Sequence, residues 1–415
     1  MDYLPSDMNI LCAGILVIGI VVTFAGIVIY NWVKSLLEKD FIMKIVLIGP
    51  VYPYKGGIAH YTSLLCRALR KKHEVGMVSY CMQYPKFLFK KEQRDYSNKE
   101  FAVEQTQYLI NTANPLNWIK AAGVIRRYKP DAVIIEWWHP YFAPCYTVLS
   151  KLLRKQMKVF ICHNVFPHER FPMDRLLTKM TLRTGNKFVV QSRMDAEDLK
   201  SIIPEADHIV TPHPTYNAFK MAGISKEEAR KQIGLEMGKP MLLFFGFVRE
   251  YKGLKYLIKA LPYVKADIPD VKLWVVGDFG DDKEMYLELI LRNNLRDNIV
   301  LVDGYVPDKE VEKYFAATDL VALPYISATQ SGIAQIAYGF EKPVIATNVG
   351  GLPDVVEDGK TGYLVGKEDE QALAEAIRKF FLQDIQAEFI TNIRNRAGEF
   401  SWETMIQRIE KLIRG

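Results

Sequence analysis

Cysteine is scarce in this sequence of 415 residues, which contains only five cysteines and seven histidines. The cysteine number is odd, and no two cysteines have the C-x-x-C spacing of a zinc knuckle. Both a disulfide framework and a cysteine-ligated zinc module are therefore excluded. Low complexity is absent as well, because 49% of the residues are hydrophobic and 25% are charged, so disorder is not the main organisation. The length favours two domains, and we expect most of the chain to lie in a reducing compartment.

Charge is unevenly distributed along the chain. Residues 43–215 contain 26 Lys and Arg against 14 Asp and Glu, whereas residues 216–415 contain 26 against 30. A basic first half suits an anionic lipid surface or a phosphate-bearing substrate. Nucleic acid would also suit the charge, but no helix-turn-helix, RRM or KH pattern accompanies the basic residues, so we expect no nucleic-acid partner.

Charged residues are missing altogether from Met8 to Val33, a run of 26 residues rich in Ile, Val, Leu and Gly. This length crosses a bilayer as one helix, so the pattern predicts a transmembrane helix at about 9–33 within an anchor of residues 1–42. Lys34 and Lys39 follow the run, which predicts a single-pass protein of the cell membrane with cytoplasmic domains. A signal peptide fits less well because no basic segment precedes the run. Alternatively, MKIVLIGP at Met43 is typical of the start of a soluble α/β protein.

After Met43, short apolar runs alternate with longer amphipathic ones, which is typical of βα units and a parallel sheet. The pattern predicts an α/β fold with two Rossmann-like, doubly wound domains that face each other across a cleft. We assign residues 43–215 to an acceptor-binding domain and residues 216–397 to a nucleotide-sugar-binding domain. The proline-rich segment HIVTPHPTYNAF is the predicted linker between them. The predicted strands are KIVLIG, VGMVSY, AVIIEW, KVFICH, KFVVQS, MLLFFG, VKLWVVG, NIVLVDG, LVALPY and PVIAT.

Candidate site residues of the first half follow predicted strands. Gly56 and Gly57 open the first predicted helix, where free N–H groups suit an anion or a sugar hydroxyl, although a turn without a ligand is an equal alternative. His163 stands at the end of the fourth strand that we identify in this half, where a side chain can reach a cleft. A structural role for His163 is the alternative.

Candidate site residues of the second half also lie at strand ends. Arg249 and Lys252, framed by Gly246 and Gly253, suit a diphosphate and its departure as a leaving group, and the alternative is a solvated basic turn. Ser331 and Gly332 lie at a predicted helix start that suits a phosphate. Further candidates are Tyr305 and Val306 for a base and Asp278 near the ligand. Asp278, Asp281 and Asp282 resemble a metal cluster but fit a polar loop better, so no metal site is predicted.

The blocks WWHPYFAP, CHNVFPHE, FFGFVREYKG and SGIAQIAYGFEKPVIATNVGGLPD together resemble the family 4 retaining glycosyltransferases of the GT-B fold, in their bacterial and archaeal branch. The resemblance implies a nucleotide-diphosphate-sugar co-substrate, no other cofactor, no obligatory metal, and a closing helix at about 398–415 that packs on the first domain. It implies that Arg249 and Lys252 hold the diphosphate near Gly57, and that His163 lies near the transferred sugar. It assigns Tyr305 and Val306 to the base, and Ser331, Gly332 and Ile333 to the phosphate.

One departure from the family pattern concerns the segment around Ser331 and the helix that is predicted to start there. Much of the family has two glutamates there, and the matching positions in this chain fall near Ala328 and Ile336. Gln330 and Gln335 are among the few polar residues nearby, and Gln335 is a candidate ribose contact. We therefore expect catalysis to depend on the phosphate, Arg249 and Lys252, or the protein to bind a nucleotide sugar without turning it over.

The sequence as a whole predicts a membrane-anchored glycosyltransferase. It is expected to move a sugar from a UDP- or GDP-linked donor to a lipid-linked or glycan acceptor. A non-catalytic, membrane-anchored nucleotide-sugar-binding protein is the first alternative. A GT-B phosphorylase or epimerase is the second, which is disfavoured because no cofactor lysine or acid pair is evident.

Overall fold

The computed structural model describes residues 42–89, 92–96, 99–167 and 170–415. The predicted transmembrane helix at about 9–33 lies outside these residues. Within them, no helix is both long enough and apolar enough to span a membrane. Residues Lys44–Gly415 form one compact unit.

Thirteen strands in the described residues form two parallel sheets, as the alternating pattern predicts. The first sheet has seven strands in the order β3-β2-β1-β4-β5-β6-β7, and the second has six in the order β10-β9-β8-β11-β12-β13. Neighbouring strands pair in parallel throughout both sheets. The strands are β1 Lys44–Ile48, β2 Glu74–Met82, β3 Gln107–Asn111, β4 Ala132–Trp137, β5 Met157–Cys162, β6 Lys187–Val190, β7 His208–Val210, β8 Met241–Phe245, β9 Lys272–Gly277, β10 Ile299–Asp303, β11 Leu320–Leu323, β12 Val344–Thr347 and β13 Gly362–Val365.

Helices connect the strands and cover the sheets. The central strands are buried along their whole length, as in Ala132–Trp137, which explains why their sequences are nearly continuous apolar runs. The α-helices of the described residues are α1 Gly57–Arg70, α2 Pro115–Arg127, α3 Ala143–Leu152, α4 Asp174–Leu182, α5 Arg193–Ile202, α6 Lys226–Ile233, α7 Leu254–Asp267, α8 Lys283–Arg292, α9 Asp308–Ala317, α10 Gly332–Gly339, α11 Glu370–Leu382, α12 Gln386–Asn395 and α13 Trp402–Arg414.

Each sheet reverses its strand order at one point, between β1 and β4 in the first and between β8 and β11 in the second. Ligands of open α/β sheets bind outside the carboxyl ends of the strands at such a point. The loops that follow β1, β4, β8 and β11 are therefore where the fold places a site.

The last helix, α13, packs on the first half of the chain. The indole N–H of Trp402 donates to the carbonyl oxygen of Thr215 at 3.2 Å, and the hydroxyl of Tyr61 donates to the sulfur of Met405 at 3.1 Å. Ser401 caps the helix through its side chain, which accepts from the N–H of Thr404. These contacts connect the end of the chain to α1 and to the segment between the sheets.

Three strands differ from the sequence prediction, which omitted β3, β7 and β13. The strand β3 is a largely exposed sheet edge with polar residues, so it lacks an apolar run. The strand β7 has three residues and occupies the start of the predicted linker. The linker therefore begins as a strand of the first sheet, paired with β6. The strand β13 is a four-residue edge strand that begins with glycine.

Candidate functional site

A cavity of about 830 Å³ lies where the loops of the two halves meet. Four of the predicted site residues line it: Gly56, Arg249, Asp278 and Tyr305. The first half contributes residues from the loops after β1, β2, β4 and β5, and the second half contributes residues from the loops after β8, β9 and β10. The full lining is Lys55, Gly56, Gln83, Tyr84, Leu88, Phe89, Glu92, Gln93, Trp138, His139, Asn164, Pro167, Phe247, Arg249, Tyr251, Asp278 and Tyr305.

Two cations, Arg249 and Lys252, follow strand β8, and of these Arg249 lines the cavity. Lys252 is buried, with 8% of its surface exposed, and burial together with the charge of Arg249 lowers the pKa of Lys252 to about 8. Its amine lies 5.8 Å from the ring centre of Tyr325. Among the described residues, no carboxylate lies within ion-pair distance of Arg249 or Lys252. A pair of uncompensated cations at the end of a strand is an electrostatic site for an anion.

The position of Lys252 depends on the two glycines that frame it, Gly246 and Gly253, which have positive φ angles of 98° and 66°. A Cβ atom on Gly246 would lie 3.0 Å from the amine of Lys252, and one on Gly253 would lie 1.9 Å from the carbonyl oxygen of Pro324. Only glycine allows both the backbone conformation and the close contact. The two glycines thereby bring the loop after β8 against the loop after β11.

The amino end of α10 lies beside Lys252. Ser331 is the N-cap, and its hydroxyl accepts from the N–H of Ala334 at 3.4 Å. The Cδ1 of Ile333 would lie 3.7 Å from a Cβ on Gly246, and Gly332 begins the helix. Free N–H groups and the helix dipole favour an anion here. The structure therefore brings together Gly246, Lys252 and Ile333 at the start of α10, next to Arg249.

Two glutamines adjoin this helix start with unsatisfied amide atoms. Gln335 is fully buried, and both side-chain amide atoms lack a hydrogen-bond partner in the described part of the chain. The side-chain oxygen of Gln330 is likewise buried without a partner there. An unsatisfied buried amide costs about 1–3 kcal/mol, so both side chains are available to a ligand or water. Ala328 and Ile336, near which the family's glutamates are expected to fall, are buried apolar residues.

The loop after β1 faces the loop after β10 across the cavity. The amine of Lys55 lies 4.9 Å from the ring centre of Tyr305, a cation–π contact between the two halves. Gly56 is the N-cap of α1 with a φ of 106°, and Gly57 begins that helix. Val306 is half-buried after Tyr305, and an oxygen of Asp278 accepts from the N–H of Gly280 at 2.8 Å.

His163 is buried beside a carboxylate that no sequence pattern predicted. The Nε2 of His163 lies 2.6 Å from an oxygen of Glu136, a residue of β4 with no exposed surface. Burial raises the pKa of Glu136, and the nearby imidazole opposes that shift. The ring of Tyr61 packs edge-on against His163 at 4.6 Å. The role of His163 beside the sugar stays a prediction, and its neighbour Asn164 lines the cavity.

An aromatic wall on the first-half side of the cavity was also missed. Tyr84 stacks with Phe89 at 5.8 Å, and the indole N–H of Trp138 donates to the hydroxyl of Tyr84 at 3.2 Å. His139 extends this wall, and Phe247 of the second half also lines the cavity. The sequence signal was the aromatic clusters YPKFLF and WWHPYF after β2 and β4. Such a surface suits the faces of sugar rings or a lipid chain.

The described residues contain no group of three or more His, Cys, Asp or Glu side chains arranged to hold a metal ion. In particular, Asp278 interacts with its own loop.

Two family models match this chain. The model described as glycosyltransferase family 4 matches residues 55–215, and the model described as glycosyl transferases group 1 matches residues 225–398. Together they cover most of the chain and meet at the segment between the two sheets. The chain belongs to the family 4 glycosyltransferases. This agrees with the resemblance predicted from the sequence.

Similar proteins extend over nearly the whole chain. Spore coat protein SA of Bacillus subtilis (strain 168) is 26% identical over 399 residues, which cover 88% of this chain and 98% of that protein. Sucrose-phosphate synthase from Thermosynechococcus elongatus has a TM-score of 0.69 at 20% identity, covering 90% and 98% of the two chains. Anabaena Alr3699/HepE in complex with UDP-glucose has a TM-score of 0.66 at 20% identity, covering 89% and 98%. At this identity the two structures support the GT-B fold alone.

Proposed function

We propose that this chain transfers a sugar from a nucleotide-diphosphate sugar to a lipid-linked or glycan acceptor at the cytoplasmic face of the cell membrane, with retention of the anomeric configuration and without a metal. The donor part is supported by the pair Arg249 and Lys252, which lies beside the amino end of α10. In the part of the chain that the structure describes, no carboxylate lies within ion-pair distance of either cation. The first-half aromatic wall is the proposed acceptor side.

The proposed chemistry follows from where the charges lie. As the bond between the sugar and the diphosphate breaks, negative charge grows on the leaving oxygen, and Arg249, Lys252 and the α10 dipole stabilise it. The acceptor hydroxyl attacks from the same face and gives its proton to the departing phosphate. Because the groups are held in place by packed loops, little reorganisation accompanies this step.

The comparisons support a nucleotide-sugar donor, since a protein of the same fold has been solved in complex with UDP-glucose. UDP- and GDP-linked sugars are both candidates for this chain. The lipid part of the acceptor rests on the basic first half and on the apolar run before residue 42.

Arg249→Ala and Lys252→Ala test the donor site. Each should lower kcat/KM by about 100-fold or more with a smaller loss of donor affinity, because the cations act mainly on charge that develops in the transition state. Lys255→Ala is the matched control, since Lys255 is a half-buried cation at the start of α7 that pairs with Glu250 at 3.4 Å. Unchanged turnover and unchanged donor binding in both Arg249→Ala and Lys252→Ala would refute the assignment of these cations to the donor site.

A second candidate function is a nucleotide-sugar-binding protein without turnover. It is favoured by the apolar residues Ala328, before α10, and Ile336, on α10, which lie near the positions where much of the family has carboxylates. Under this alternative, Arg249→Ala weakens binding of the nucleotide sugar, and no acceptor supports release of the diphosphate.

A further inference from the structure

The first half has an exposed apolar stripe on and just before helix α4. Met173, Leu176 and Met180 are 63%, 61% and 39% exposed. Leu176 and Met180 are four residues apart, so they lie on one side of the helix, and Met173 is the residue directly before its first turn. Three exposed apolar side chains this close together differ from isolated surface residues.

A basic stripe runs beside the apolar one. Arg175, Lys179 and Arg183 follow each other at four-residue spacing, so they share a neighbouring side of α4. Asp174 is the only acidic residue from 170 to 183, and it is buried and paired with Arg170, with a second contact at 3.0 Å. Asp198 of α5 lowers the positive field around Arg170 and Arg175. Lys179 and Arg183 have no carboxylate within ion-pair distance among the described residues.

A second exposed apolar segment follows β2. Phe87 and Leu88 are 78% and 56% exposed, and Lys86 precedes them. The N–H groups of Leu88 and Phe89 both donate to the carbonyl oxygen of Pro85, at 3.0 and 3.1 Å, so the backbone turns tightly at this point. Phe87 is the most exposed apolar side chain of this turn, and Leu88 also lines the cavity.

Both apolar segments adjoin the turn at residues 138–142. Tyr84 packs on Tyr141 at 5.0 Å, and Phe171, just before α4, stacks on His139 at 5.8 Å. Trp138 and His139 of the same turn line the cavity. Through Tyr84 and Phe171, both exposed apolar segments are therefore connected to the turn that lines the proposed acceptor side of the cavity.

We infer that Phe87, Leu88, Met173, Leu176 and Met180, together with Lys179 and Arg183, form a docking face that lies in the headgroup region of an anionic lipid bilayer. Apolar side chains beside lysine and arginine are the composition of a helix that lies in a membrane interface. The excess of Lys and Arg over Asp and Glu in residues 43–215 complements a negative lipid surface. The inference deepens the proposed function and rests on it, because it brings a lipid-linked acceptor to the cavity mouth.

Lipid cross-linking tests this inference on the full chain. The protein is mixed with vesicles that contain a photoactivatable lipid, made either of phosphatidylcholine alone or of phosphatidylcholine and phosphatidylglycerol. Labelled peptides are then identified by mass spectrometry. We expect residues 170–183 and 84–89 to be labelled on the anionic vesicles, and labelling to fall as salt is raised. This readout locates the contact, so it is independent of any membrane attachment through residues 1–42.

Leu176→Glu should reduce labelling of residues 170–183 by about tenfold, because a carboxylate replaces an apolar contact and repels anionic lipid. Leu291→Glu is the matched control, since Leu291 is a 55% exposed leucine on helix α8 of the second half. Arg183→Glu is a second variant that leaves the apolar stripe intact, and labelling should fall in it as well. Unchanged binding of a nucleotide sugar verifies that each variant is folded.

Absence of labelling on residues 170–183, or equal labelling on vesicles of phosphatidylcholine alone, would overturn the docking face. The docking face and the transferase assignment can fail independently of each other. Sugar transfer without lipid labelling refutes only the docking face, whereas lipid labelling of a protein that never turns over a donor refutes only the transferase.

Discussion

Lys252 is a buried lysine that lies beside a second cation, Arg249. Burial and the charge of Arg249 lower its pKa to about 8, so part of its positive charge is lost within an accessible pH range. A bound diphosphate favours the protonated amine and raises that pKa again. Proton uptake and donor binding are therefore linked at this residue.

We predict that the affinity for a nucleoside diphosphate falls as the pH rises above about 8, by up to about tenfold per pH unit. Below that value Lys252 is already charged, and its contribution to affinity is constant. Isothermal titration calorimetry across this range measures the effect, and Lys252→Met should remove it. An equal slope in Lys252→Met would show that another group causes the pH dependence.

The same pKa shift makes folding stability depend on pH in the opposite direction to donor affinity. An ordinary lysine pKa in the unfolded chain lies near 10.4. Between about 8 and that value, the unfolded chain binds more protons at Lys252 than the folded chain does, so raising the pH stabilises the fold. The charged amine is therefore kept at a cost to folding, which is expected of a group that serves a ligand.

Glu136 shows the limit of sequence reasoning at the residue scale. Its position inside a continuous apolar strand gives no sign that its carboxylate meets His163 from the next strand. Arg249, Lys252 and Ser331 could be predicted because glycines and helix starts mark them locally. The partner of His163 could not, since it depends on the register of β4 against β5.

At the scale of elements, the loop after β8 depends on Gly253. This residue combines a φ of 66° with the close approach to Pro324. Most strand positions were predictable because β-branched runs are buried on both faces. The packing of one loop against another was not, because no periodicity encodes it.

Gly253→Ala should lower the free energy of unfolding by about 2–4 kcal/mol, since a Cβ meets backbone in an unfavourable conformation. Gly234→Ala is the matched control, because Gly234 has a φ of 71° and open space around its Cβ position. The control should cost only about 1 kcal/mol. Thermal unfolding of both variants measures the difference, and equal losses would contradict a role for the close approach to Pro324.

For the whole molecule, the alternating pattern predicted two parallel sheets, and the matches to the glycosyltransferase family agree with it. The cavity between the halves could not be drawn from sequence, because its walls come from loops more than 200 residues apart, such as those of Lys55 and Tyr305. The aromatic wall and the cation pair become one site only when both domains are folded against each other.

The most direct test of glycosyl transfer offers the full chain UDP- and GDP-sugars together with a membrane lipid extract. Release of nucleoside diphosphate and incorporation of sugar into lipid are measured in parallel. The proposed function predicts that one donor is consumed, that its sugar appears in the lipid fraction, and that release stops when the extract is omitted. Tight binding of a nucleotide sugar with no turnover on any acceptor would contradict it and favour the binding protein.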